Sequence, residues 1–571
     1  MKPDCRLPAV LLVTLLGACA VPPEAPAETP APPASPATNE TLAVAPVQAA
    51  QASAVPASAP PLTLEAIDTV VVIYAGSRSF DHLFGLFPGA NGIPGKNPAS
   101  QGQPAPQKDV DGSVLPVLPP IWNGLTANGQ PLMLTQAQSV GLPNAVFQLD
   151  APQGIGKSGV SVPPSTTTRG LPRRHYQHLM QVNGGANDRF AAYSDGGALS
   201  MGHHDGSSLA LWKLAQRYTL ADHFFMGAFG GSFLNHHYLV CACAPTYPNA
   251  DSSPAQGLIS AIDVDERGRF VRLTPAPNTP ASALAGPPRF LRDGALTPKD
   301  ANGVFHAVNT MQPPYQPSGA PPVAGVDPRL ADPARPSTLP PQTQPTIGDR
   351  LSAKGVSWAW YAGAWATVSA GTPEARAQIY RGKAHFQPHQ QPFNYYAAFD
   401  PITKAEARAQ HLRDFDSRFL ADAAAGTLPS VSFYKPQASL SQQAGIANLS
   451  DGDAHLAEVV AKLEQSPQWP RMLIVITHDD NGGFYDHAPV PRGDRFGPGS
   501  RVPAIIVSPF AKKGFVDKTP YDTGSILRFI TRRWALEPLP GLVERDEALR
   551  RNGAAPMGDL SGALDLAASG R

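Results

Sequence analysis

The chain reads as an α/β protein built around a largely parallel sheet that is covered on both faces. Two observations predict this. Its strand-like segments are continuous apolar, often β-branched runs rather than alternating ones, as expected for strands buried on both faces. Segments of helical spacing lie between them, and such alternation favours parallel pairing with helices on either side. In sheets of this kind ligands gather at the carboxyl ends of the strands.

The 571 residues are ample for a large core, and 42% of them are hydrophobic. Lys2 and Arg6 precede an apolar run, Ala9 to Leu16, which ends in Leu16-Gly17-Ala18-Cys19. A basic start, a short apolar core and small residues form a signal-peptide pattern, and the run is too short to span a bilayer. The ending resembles a lipobox, so residues 1–18 are expected to be removed and Cys19 to anchor the chain in the membrane of a bacterial cell envelope. Residues 19–61 are mostly Ala, Pro, Val, Thr, Ser, Glu and Gln, with no aromatic residue, and read as an extended tether.

The folded body then runs over residues 62–571. Its first strand is Asp68 to Tyr74, and similar runs follow at Val356 to Tyr361, Val431 to Tyr434, Met472 to Thr477 and Val502 to Val507. Helical patterns cover Ser207 to Tyr218, Asp453 to Gln465 and Thr523 to Trp534, the last with basic residues in its final turn, as the helix dipole favours. The stretches 95–170 and 245–345, rich in Pro, Gly and Ala, read as long surface insertions. Cys241 and Cys243 are one residue apart, a spacing that argues against a disulfide and against a zinc site, and they read as small buried apolar residues.

Lysine plus arginine equals aspartate plus glutamate at 45 each, so no basic excess draws the chain to nucleic acid. Chemistry is expected at two strand-end motifs. Thr477-His478-Asp479-Asp480-Asn481-Gly482-Gly483 sets adjacent carboxylates at a strand end, suited to a hard cation but also found in polar turns. Gly230-Gly231-Ser232 could present an unhindered nucleophilic hydroxyl, or be a plain turn.

Longer strings carry a resemblance. Val70 to Tyr74 followed by Arg78-Ser79-Phe80-Asp81 and Gly85 to Gly92 looks like the opening of the acid phosphatase branch of the acid phosphatase and phospholipase C phosphoesterase family. The similarity continues through Asn187-Asp188-Arg189-Phe190, Gly230 to Asn235, Gln391 to Tyr395, Asp480 to Phe484 and Arg501 to Asp522, in order from about 66 to 537. It implies an alkaline-phosphatase-like α/β/α sandwich. It also implies phosphoester hydrolysis at a divalent metal, with Ser232 matching the nucleophile and Ser232, Asp479 and Asp480 matching metal ligands.

The departures from the pattern fall at the site. The family has Glu-Asn before Arg-Ser-Phe-Asp, both metal ligands, where this chain has Gly76 and Ser77. Ser77 is the shorter neutral candidate ligand that remains. Its Asn-Glu-His becomes Ser441, Gln442 and Gln443, a His-His pair becomes His389-Gln390, and an early histidine becomes Arg173. His389 and Arg173 are the candidate catalytic groups left, with His203 and His204 as further sources of charge. Two functions follow. One is a phosphoester hydrolase acting on a phosphomonoester or a phospholipid headgroup, weakened by the lost ligands. The other is a binding or scaffolding relative without turnover.

Overall fold

A computed structural model describes residues 63–382 and 385–566. The leader, Cys19 and the tether lie outside them. Eight strands form the central sheet: β1 Thr69–Ala75, β2 Thr219–Ala221, β3 Trp358–Ala362, β4 Leu412–Asp414, β5 Val431–Lys435, β6 Met472–His478, β7 Ala504–Val507 and β8 Phe515–Asp517. Their spatial order is β8-β2-β7-β6-β1-β5-β3-β4. β1 pairs in parallel with both β5 and β6, and β3 joins β5 to β4 in parallel. β7 runs antiparallel to both its neighbours, so the sheet is largely parallel with one reversed strand.

The run of β-branched residues in β1 is buried throughout, and its residues alternate between two cores. Val71, Ile73 and Ala75 face one core, which they share with Phe80 and Phe84 of α1 (Phe80–Phe84), Leu211 and Trp212 of α2 (Ala210–Arg217), and Leu456, Val459 and Leu463 of α3 (Leu449–Leu463). Val70, Val72 and Tyr74 face the other, with Phe233 and Leu234 of α4 (Ser232–Cys241) and Ile526, Phe529 and Ile530 of α5 (Thr523–Arg533). A strand of period two with both faces apolar must be sandwiched, and it is. None of the helices among the described residues is long and apolar enough to cross a membrane.

Two expectations need correction. The stretch 95–170 is not loose surface chain: Leu118, Ile121, Leu125, Leu134, Leu149, Ile155 and Val162 build a third core with Phe190, Leu199 and Phe484. Likewise Leu296, Phe305 and Leu339 of the second insertion join the core beneath α4. Pro- and Gly-rich chain hides its apolar residues from periodicity, because irregular backbone has no fixed spacing. The second correction is Cys241 and Cys243, which form a disulfide. Ala242 between them closes α4 in the left-handed conformation (φ 53°), and this turn brings the two Cα atoms to 5.1 Å, within bridging range.

Candidate active site

Parallel register decides which residues meet. Ala75 at the end of β1 lies opposite His478 at the end of β6, and Ile73 lies opposite Tyr434, the residue before Lys435, in β5. Leaving the sheet together, the three strands bring Gly76 and Ser77, Asp479 and Asp480, and Lys435 to one place. α4 adds Ser232 from the opposite side, as its first residue. Gly231 before it lets the backbone of Arg173 approach closely: a Cβ at 231 would lie 2.6 Å from the Arg173 carbonyl oxygen.

The resulting constellation is buried and dense. Ser232 Oγ donates to Asp480 Oδ2 at 2.7 Å. Ser77 Oγ lies 3.0 Å from Asp479 Oδ1 and 3.1 Å from Asp480 Oδ2, and it accepts a hydrogen bond from Arg173 Nη1. That same nitrogen stands 3.5 Å from Asp480 Oδ2. Lys435 Nζ donates to Asp479 Oδ2 at 2.8 Å and to the Ala75 carbonyl at 3.0 Å, with both side chains of the ion pair 1% exposed. Backbone amides complete the carboxylates: Asp480 N donates to Asp479 Oδ1, and Gly482 N to Asp480 Oδ1, each at 2.8 Å.

Burial and charge push the two aspartates apart. Burial raises the Asp480 carboxyl above its ordinary range, the Asp479 charge adds to this, and Arg173 opposes it. Asp479 is equally buried, and burial alone would raise it, but the charge and hydrogen bond of Lys435 together with the charges of His236 and Arg173 hold its carboxyl below the ordinary range. His389 lines a cavity of about 340 Å³ together with Ser232, Arg173, Gly231, Thr310 and Gln387. Burial pushes its imidazole down to about 3, so the ring is neutral at physiological pH.

Sequence-predicted residues are thus largely brought together: Ser77, Arg173, Ser232, Asp479 and Asp480 share one network, and His389 faces the same cavity. His203 and His204 are not part of it. They pack beside His82, and burial lowers them to about 4 and 3, so they bring no charge to the site. Lys435 went unread in the sequence, although a cation ending an otherwise apolar strand is a signal that could have found it. Also unread was a second cluster, Asp81, Asp486 and His487, whose ligand atoms lie within 4.8 Å of one another and could hold a metal ion. Arg501 spans both of its carboxylates, at 2.8 Å from Asp486 and 3.2 Å from Asp81.

The Phosphoesterase family model matches residues 67–537. The chain belongs to the Phosphoesterase family. Among curated relatives, non-specific phospholipase C6 of Arabidopsis thaliana is 36% identical over 129 residues, which is 19% of this chain and 25% of that protein. Hemolytic phospholipase C of Pseudomonas aeruginosa is 32% identical over 144 residues, 21% of this chain and 19% of that one. The aligned segments therefore span a quarter or less of those relatives' own lengths. A solved structure of an alkaline phosphatase superfamily protein from Vibrio parahaemolyticus matches 67% of this chain and 71% of that chain, with 10% identity and a TM-score of 0.24.

A divalent metal at Asp479, Asp480, Ser77 and Ser232 fits these residues poorly. Each of the four carboxylate oxygens already accepts at least one hydrogen bond, two of those oxygens facing Lys435 and Arg173. Gly76 supplies no ligand. The loop at Ser441–Gln443 has closed on it, and the Gly76 amide donates to the Ser441 carbonyl at 2.6 Å.

Proposed function

We propose that this phosphoesterase-family chain is an exported phosphoester hydrolase of low turnover, with the phosphorus of its substrate held against Ser232. The observation that carries this reading is the 2.7 Å hydrogen bond from Ser232 to Asp480, made at the mouth of the cavity where Arg173 is 21% exposed. A phosphate ester seated there meets the N-terminus of α4 and the Arg173 guanidinium, both suited to its anionic oxygens. Asp480, made more basic by burial, takes the serine proton as Oγ attacks phosphorus. The ester oxygen leaves along the cavity wall past His389 and takes a proton from solvent; water entering the same cavity then attacks phosphorus, Asp480 returns its proton to Ser232 Oγ, and phosphate is released. Because that imidazole is neutral, it can offer only a weak N–H donor to the leaving oxygen, and Gln443 cannot donate a proton in its place. Low turnover follows. The substrate is a phosphomonoester or a phospholipid headgroup, and the basic start, apolar run and Leu-Gly-Ala-Cys ending support export with anchoring at Cys19.

A second reading, binding without turnover, rests on Gln443, whose amide nitrogen is buried without a partner where a proton donor is expected. Hydrolysis of p-nitrophenyl phosphate and of p-nitrophenyl phosphorylcholine by the purified protein separates the two. Slow release of nitrophenol that Ser232→Ala lowers by several orders of magnitude is expected. Saturable phosphate binding with no release from either ester establishes the second reading instead. Cys19→Ala should free the protein from the envelope fraction; continued retention there contradicts anchoring.

A further inference from the structure

We infer that Arg173 and Lys435 take the place of a metal ion in this site, so that its positive charge is built into the chain. The inference rests on the reading of the Ser232 cleft as a phosphoester site and says which groups supply its charge. Two buried carboxylates a peptide bond apart repel each other unless cations lie against them. Here each has its own. Lys435 is fixed on Asp479 by a 2.8 Å contact, on the Ala75 carbonyl by a second bond, and over the Tyr74 ring at 5.5 Å. Arg173 lies against Asp480 and Ser77, in the gap between β1, β6 and α4 that a metal shared by Ser77, Ser232 and Asp480 would occupy. The formal charge of the four groups is already zero. A divalent ion would have to displace the guanidinium and sit close to the ammonium.

The space for a further anionic ligand is also gone. A Cβ at Gly76 would lie 2.5 Å from the Ser441 carbonyl oxygen and 2.9 Å from Gln443 Cβ. The missing side chain at 76, the loop packed against it and the guanidinium beside Asp480 are mutually consistent. Arg173, at 21% exposure the more accessible member of the pair, is the one able to turn toward a phosphate. Its planar fork matches two phosphate oxygens, which an ion held deep between carboxylates would not present in the same way.

Metal content and thermal stability test this without any need for turnover. Elemental analysis of wild type and Asp480→Asn should show the same divalent metal content, and any melting shift of wild type on EDTA or on added Mn²⁺, Mg²⁺ or Ca²⁺, such as the Asp81, Asp486 and His487 cluster could give, should be matched by Asp480→Asn. In Arg173→Ala the carboxylates lose one counter-charge, so that variant should melt lower and recover on addition of Mn²⁺ or Ca²⁺, whereas Arg173→Lys should stay indifferent to metal. One equivalent of metal present in wild type and absent from Asp480→Asn overturns the inference, as does an Arg173→Ala protein that folds but ignores metal. If Arg173→Ala does not fold, the wild-type comparison decides alone. A protein that hydrolyses no ester yet passes these tests refutes the hydrolase reading and leaves the charge substitution standing.

Discussion

At the scale of single residues, Lys435 governs the balance of the site. An ammonium with its side chain 1% exposed survives there because Asp479 and the Ala75 carbonyl compensate its lost hydration. Removing one partner of such a pair leaves the other buried and unpaired, which costs about 3–5 kcal/mol, whereas replacing both by apolar groups is often far milder. Lys435→Met should therefore destabilise the protein by that amount in urea unfolding. Lys435→Met with Asp479→Leu should recover a good part of it. Additive losses in the double variant would show that the two side chains do not act as a pair.

At the scale of elements, the ends of β1, β5 and β6 and the first turn of α4 position Ser77, Lys435, Asp479, Asp480 and Ser232, and the loop after β5 packs against Gly76. Ser441 and Gln443 of that loop lie against Gly76, with the 2.6 Å hydrogen bond from the Gly76 amide as the fastener. A methyl group there has nowhere to go unless the loop moves. Gly76→Ala is expected to lower stability by about 1–3 kcal/mol, the range for overpacking a filled site. Simultaneous Ser441→Gly removes one crowding side-chain oxygen but not the carbonyl, so it should relieve only part of the loss. A Gly76→Ala protein as stable as wild type would mean that the loop opens freely and that a larger ligand-bearing side chain could be accommodated.

At the scale of the whole molecule, burial of many neutral histidines couples the fold to pH. Burial is the first cause in each case, and it pushes His178, His204, His237, His389 and His478 down to about 3. Their folded values lie below the unfolded value of about 6.5, so the unfolded chain takes up protons first as pH falls. The stability they leave intact above that value is lost below it, by about 1.4 kcal/mol for each fully buried ring at one pH unit down. Asp479, held low by Lys435, adds a loss of the same sign in more acid solution; Asp480, raised by burial, opposes it there. The melting temperature should be highest near or above pH 7 and fall steadily toward pH 5. A protein that gains stability across that interval would contradict the neutral assignment of these rings.

The fold class and the site's address were legible in the residues themselves. Continuous apolar runs such as Val70 to Tyr74 and Met472 to Thr477 can be satisfied only inside a sandwich, and the strand ends then follow from chain order. Continuous apolar runs and helical patterns found five of the eight sheet strands and three of the principal helices. They missed the three-residue strands at Thr219–Ala221, Leu412–Asp414 and Phe515–Asp517, which are too short to display a period. The family resemblance grouped Ser232, Asp479 and Asp480, and the fold brings these side chains into one hydrogen-bond network. What the residues alone could not show is which side chains stand opposite them. That depends on strand register and loop closure, which bring Lys435, 44 positions before Asp479, within hydrogen-bond reach of it. The same holds for the Cys241–Cys243 bridge, decided by one left-handed residue. Burial pattern is local and can be read along the chain; charge compensation is a property of neighbours in space, and only the tertiary structure names them.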